Sequence, residues 1–308
     1  MVLTSNHPVD LTSSSLPTIP DSLKVLLTRI SQQHYEELYE PEADGTTPLP
    51  ETLSEILEAF QNSDRTLCHL RYIWMALILA LLVEPTLEYY QPSNSFPKST
   101  VNWLVLWLLK NIDKIINDES QNTSYSKSDE LLNQISETSE LSARKDLVSF
   151  QVLNEALDVF HNALRVLDYD QSVEALLEIL DDCLEGYAVF PGSKGRRELF
   201  DWWVLEVVPA SWYLLPPKSF YVVQGLQNKE EVKLRQTNLL QQISSVMWLL
   251  LRESSSSKIE TKSQRQYTLS GIAYTNKVKM DNELIRGDFN SSHNLTNREK
   301  NERVVCSA

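Results

Sequence analysis

Glycine is scarce in this sequence: 7 of 308 residues, against a usual share of about 7%. The tight turns of an all-β protein ask for more than that. Cysteine is scarce as well. Cys68, Cys183 and Cys306 lie far apart, are odd in number and form no Cys-x-x-Cys pair. That argues against a disulfide framework or a zinc knuckle and points to a reducing cytoplasm. The five histidines, His7, His34, His69, His161 and His293, include no His-x-x-x-His pair. His161 reads as a hydrogen-bonded helix residue and not as a base. Gly-x-Ser-x-Gly, His-Glu-x-x-His and Gly-x-Gly-x-x-Gly are all missing, so hydrolase, metalloprotease and dinucleotide-binding readings lack support.

Positive charge is in deficit. Lys and Arg number 28 against 42 Asp and Glu, a net charge of −14. Such a field repels phosphate backbones, so no nucleic-acid partner is expected. Met1 to Pro20 has neither a basic nor an apolar region of a secretory signal. The glycosylation patterns at Asn122 and Asn294 therefore carry no weight. No apolar run reaches the roughly 20 residues of a membrane span. The longest, Tyr72–Val83, has 12 residues between Arg71 and Glu84, with Pro85 next.

What the sequence does contain is leucine at helical spacing. Leu23, Leu26, Leu27 and Ile30 form one stripe; Leu53, Ile56, Leu57 and Phe60 form another. Ser63 or Asp64 is placed to cap a third helix. Tyr72–Val83 is apolar all round, which implies burial on every side. It is expected to pair with a helix over 99–117, with Trp74, Trp103 and Trp107 between them. Phe150, Leu153, Leu157, Phe160, Leu164 and Leu167 form a further stripe, and Val173, Leu176, Leu177, Leu180 and Leu184 the next. Their short connection implies antiparallel packing. Gly186 ends the second of these helices, where glycine readily takes a positive φ.

An aromatic helix then starts at Arg196 or Arg197 and is expected to stop at Pro209, which lacks a backbone donor. Tyr187–Phe190 and Phe220–Val223 are short enough and apolar enough to pair as strands. A last long helix is expected over about 228–252. The fold class is therefore all-α, a bundle of roughly seven to nine helices, with room for a minor two-stranded piece and with a disordered C-terminal tail. The organisation reads as a disordered lead (1–19), an N-terminal helical part (20–116), a polar linker with a short helix (117–145), a C-terminal helical part packed on the first (146–252) and a mobile tail (253–308). From Glu253 on there are nine Lys or Arg and seven Asp or Glu, a net of +2, which leaves −16 for the remainder.

Three constellations stand out. Asp181, Asp182 and Glu185 could hold magnesium, because hard cations take carboxylate oxygens. The second acidic motif that such a site needs is incomplete, and the apolar stripe of this helix is complete without the acids, so a solvated acidic face is the simpler reading. The loop around Lys194, Arg196 and Arg197 opens a helix with cations set against the helix dipole. Compensation must come from the Asp168–Glu185 helix or from an outside anion. Trp202, beside Trp203 but about 100° round the helix, points with Glu206 toward an edge or a partner, unless both rings fill the core.

The leading expectation is a non-catalytic, cytoplasmic protein-interaction or regulatory module that needs no cofactor. Its partner would be another protein, met by Lys194, Arg196, Arg197, Trp202 and Glu206 beside the acidic helix. The alternative is an all-helical, magnesium-dependent enzyme using Asp181, Asp182 and Glu185. A third reading is a peripheral membrane protein using residues 72–83, without a transmembrane segment.

Overall fold

The computed structural model describes residues 16, 18–40, 48–61, 64–117, 147–189, 195–222, 226 and 228–257. The expected lead up to residue 15, nearly all of the linker (118–146), Lys194 and the tail from 258 lie outside these residues. Among the described residues the chain forms eight helices and no strand. They are α1 (Asp21–Ser31), α2 (Leu49–Phe60), α3 (Arg65–Tyr90), α4 (Phe96–Asn117), α5 (Leu147–Arg165), α6 (Ser172–Leu184), α7 and α8 (Lys229–Ser257). Helix α7 is composite: Arg196–Trp202, a π-helical turn Trp203–Val207 and Val208–Trp212 follow one another without a break. Short 3-10 turns lie at Glu36–Leu38 and Tyr169–Gln171. The eight helices belong to one compact unit.

Helix α3 is the axis of the bundle. Asp64 caps it, its carboxylate accepting from the backbone N–H groups of Thr66 and Leu67. From Leu67 to Glu84 every residue is buried. Helices α4, α5, α6 and the end of α7 all pack against it. It is the one helix among the described residues long and apolar enough to cross a bilayer, and 94% of its apolar window is buried inside the protein. Helices α5 and α6 form the expected hairpin, turning through Tyr169–Gln171.

Neither Pro85 nor Pro209 ends its helix. Helix α3 runs past Pro85 to Tyr90. Proline removes the N–H that would bond the carbonyl four residues back, here that of Leu81. The side-chain amide of Gln236, on α8, donates to that carbonyl at 3.5 Å and also to Glu84. Helix α7 runs past Pro209 to Trp212. There the preceding turn widens, and Val208 N–H bonds Trp203 O, five residues back. A π turn of this kind shifts the backbone register and so accommodates the proline ring.

Three further expectations are corrected. Tyr187–Val189 and Phe220–Val222 form no ladder; the second segment folds over Trp202 instead. Leu16 and Ile19, placed by sequence in the lead, are buried, and Ile19 N–H donates to the Tyr213 hydroxyl at 3.0 Å. Trp74 is buried and Trp107 packs on His69, but Trp103 faces outward.

Candidate functional site

The basic residues at the start of α7 are turned into the protein. Arg196 is buried and donates to Gly186 O at 3.1 Å, just beyond the end of α6. Its guanidinium carbon lies 4.3 Å from the centroid of the Tyr39 ring and 5.9 Å from that of Tyr187. Arg197 donates to Asp201 at 3.0 Å, to Gln33 O at 2.6 Å and to Glu40 at 3.2 Å. It also donates to Ser31 O, the last residue of α1. Burial lowers its basicity, but the hydrogen bond and charge of Asp201, then Glu40, outweigh this and raise it. The compensation demanded by cations at a helix start is thus intramolecular, supplied by carboxylates and by the carbonyl-rich C-terminal ends of two other helices. Lys194 lies outside the described residues.

Trp202 does not face a partner. It is 7% exposed, and its indole N–H donates to Ser219 O at 2.7 Å. Phe220 and Tyr221 stack around it at 5.8 and 5.9 Å. Pro216-Pro217 turns the chain back and brings these rings over the tryptophan. Glu206 is half-buried and accepts from the backbone N–H of Lys218 at 3.0 Å. Of the five residues expected to form a contact surface, the structure therefore gives internal partners to Arg196, Arg197, Trp202 and Glu206.

The acidic constellation is brought together, and it is larger than the sequence suggested. The Asp182 carboxyl is pushed up to about 8, first by burial and then by the like charges of Asp158, Glu155, Asp181 and Glu178. Glu185 is also raised, by burial and by Asp181 and Glu37, with Arg196 opposing. Glu155 and Asp158 come from α5, which the sequence left out of this group. Glu155 accepts from Gln151 at 3.0 Å and from the Tyr187 backbone N–H. Among the described residues no Lys or Arg pairs with Glu155, Asp158, Glu178, Asp181 or Asp182; only His161 stands near, 3.6 Å from Asp158. Among the described residues, no group of three or more His, Cys, Asp or Glu takes an arrangement that could hold a metal.

Gly186 belongs to this site for a reason other than the one its position suggested. A Cβ there would come 2.6 Å from Glu155 Oε2 and 2.7 Å from Asp182 O. The tight turn that ends α6 and folds back over the Asp182 backbone, not a left-handed φ, requires the missing side chain, and the Glu155 carboxylate crowds the same space. Two exposed tyrosines border the acidic face. Tyr39, at φ 58°, is 56% exposed and Tyr187 is 36% exposed, and both rings face the Arg196 guanidinium. The only sequence signal for the pair was their aromatic character. No protein-family profile, curated protein or solved structure matches the chain.

Proposed function

We propose that the protein is a non-catalytic interaction or regulatory module of the cytoplasm, whose acidic ridge on α5 and α6 receives a lysine- or arginine-rich segment of another protein. The observation that carries this reading is the crowding around Asp182. Four carboxylates on two helices act on it, and no basic side chain among the described residues neutralises them. Like charges held this close are costly, and in the free protein proton uptake by Asp182 relieves part of that cost. A cationic segment would relieve it better and release the proton. The negative field would steer such a partner, and Tyr39 and Tyr187 would give it aromatic surface at the rim.

Calorimetric titration of a synthetic oligolysine peptide tests this. The reading expects saturable binding that weakens as salt rises, with a heat that depends on the buffer because a proton is released. Asp181→Asn/Asp182→Asn should weaken the binding and abolish the buffer dependence. Equal binding by the double variant would refute the ridge as the contact surface. Magnesium titrated into the same two proteins separates the alternative: a saturable heat lost in the double variant would favour the magnesium-dependent enzyme.

A further inference from the structure

Arg71 lies in the middle of the protein and has no exposed surface. In the sequence it reads as the charged fence before an apolar run; in the fold it is as buried as that run. Its Nε–H donates to Trp212 O at 2.9 Å, and its guanidinium carbon sits 3.6 Å from the centroid of the Trp212 ring. A guanidinium carries five N–H groups. The four on Nη1 and Nη2 meet no acceptor among the described residues.

The surroundings make this more unusual. The last turn of α7 is closed by bonds from Leu214 N–H to Ser211 O and from Leu215 N–H to Ala210 O. Leu214 takes φ 53° there, in a position that usually belongs to glycine. The carbonyls beyond the turn are already engaged: Trp74 donates to Leu215 O at 2.8 Å and Ser244 to Leu214 O at 2.8 Å. Neither accepts from Arg71. The ionisable groups that raise the basicity of Arg71 are Cys68 and Tyr213, neither of them a carboxylate, and burial still brings it down to about 10. At neutral pH the guanidinium is therefore a buried cation with a π face, one carbonyl and the negative end of a helix dipole, but without a carboxylate counter-charge among the described residues.

Buried charges in folded proteins are paired, and buried donors find acceptors. We propose that Arg71 binds a small monovalent inorganic anion of the halide class, held in the guanidinium plane by Nη1–H and Nη2–H at the junction of α3 and α7. A single negative charge matches a single guanidinium. Arg71 is wholly buried, and a single-atom halide asks for less room there than a phosphate or an organic carboxylate, which bring several heavy atoms. Water would satisfy the N–H groups but would leave the charge unanswered. The indole of Trp212 covers one face of the guanidinium, so the acceptor must approach along the edge.

The decisive measurement is anomalous diffraction from crystals of the full chain soaked in sodium bromide. The expected result is a bromide peak at hydrogen-bond distance from Nη1 and Nη2. In solution, replacing gluconate by chloride at constant ionic strength should raise the melting temperature of the wild type along a saturable curve. Arg71→Met should lose that response while keeping the apolar stem. Should Arg71→Met fail to fold, the bromide map and the wild-type halide titration decide on their own. Ordered water alone on both nitrogens, or a melting temperature indifferent to halide, would overturn the assignment.

Discussion

The two charged regions of this protein are handled in opposite ways. At the helix ends, each cation is given a directional partner: Arg197 meets the end of α1, Arg196 the end of α6 and Arg71 the end of α7. On the ridge of α5 and α6, carboxylates are gathered with no Lys or Arg among the described residues to offset them. The first arrangement fastens the fold, because a buried carbonyl without a donor is expensive. The second crowds like charges together and lowers the stability of the fold. Charge held against the interest of folding is the kind that a binding site retains.

The contrast can be broken from the fastened side first. Trp202→Ala removes a buried ring and leaves Ser219 O without its donor, and should cost about 3–5 kcal/mol in urea unfolding. A change under about 0.5 kcal/mol would return Trp202 to the surface. Arg197→Ala should cost about 2 kcal/mol, because it strips donors from Ser31 O and Gln33 O and takes the guanidinium away from Glu40 and Asp201. No loss in thermal or urea unfolding would mean that the ends of α1 are held by something else.

The ridge should respond with the opposite sign. The Asp182 pKa is raised from 3.8 in the unfolded chain to about 8 in the folded one. The folded state thus binds the proton more tightly, and stability falls as pH rises between those values and levels off above about 8. Asp182→Asn removes the titration. After allowance for solvent screening at this half-exposed position, the variant should be more stable than wild type by roughly 1 kcal/mol at pH 9. It should show no comparable gain at pH 4. A constant difference across that range would remove Asp182 as the titrating group. The smallest effect is expected of Glu178→Lys, an exposed reversal worth a few tenths of a kcal/mol. Its sharper readout is nuclear magnetic resonance, where the Asp182 carboxyl should titrate at lower pH; an unmoved titration would detach Glu178 from the cluster.

Helix existence was legible because the apolar stripes repeat at 3.6 residues, and the all-round burial of α3 followed from a run without a polar face. Helix ends were less legible. Pro209 read as a stop and Pro85 stood just past an apolar run, but both helices continue, helped by Gln236, a residue distant in sequence, and by a widened turn that no local pattern announces. The acidic face was visible on α6 alone; its other half, Glu155 and Asp158, lies on α5 and becomes part of the site only through packing. Trp202 was misplaced for a similar reason. Its exposure depends on whether residues 219–221 cover it, and local periodicity does not contain that fact. Arg196 and Arg197 were correctly read as needing compensation, and the source of it was a tertiary matter.

The fastening of helix ends by remote side chains bears on how the chain reaches its native state. Arg71 and Trp212 are 141 positions apart, as are Trp74 and Leu215, while Arg197 and Ser31 are 166 apart. None of these bonds can form until chain segments far apart along the backbone have met, and closing such long loops is what slows a folding reaction. The middles of the helices can therefore coil early, while their ends stay frayed until the bundle has assembled.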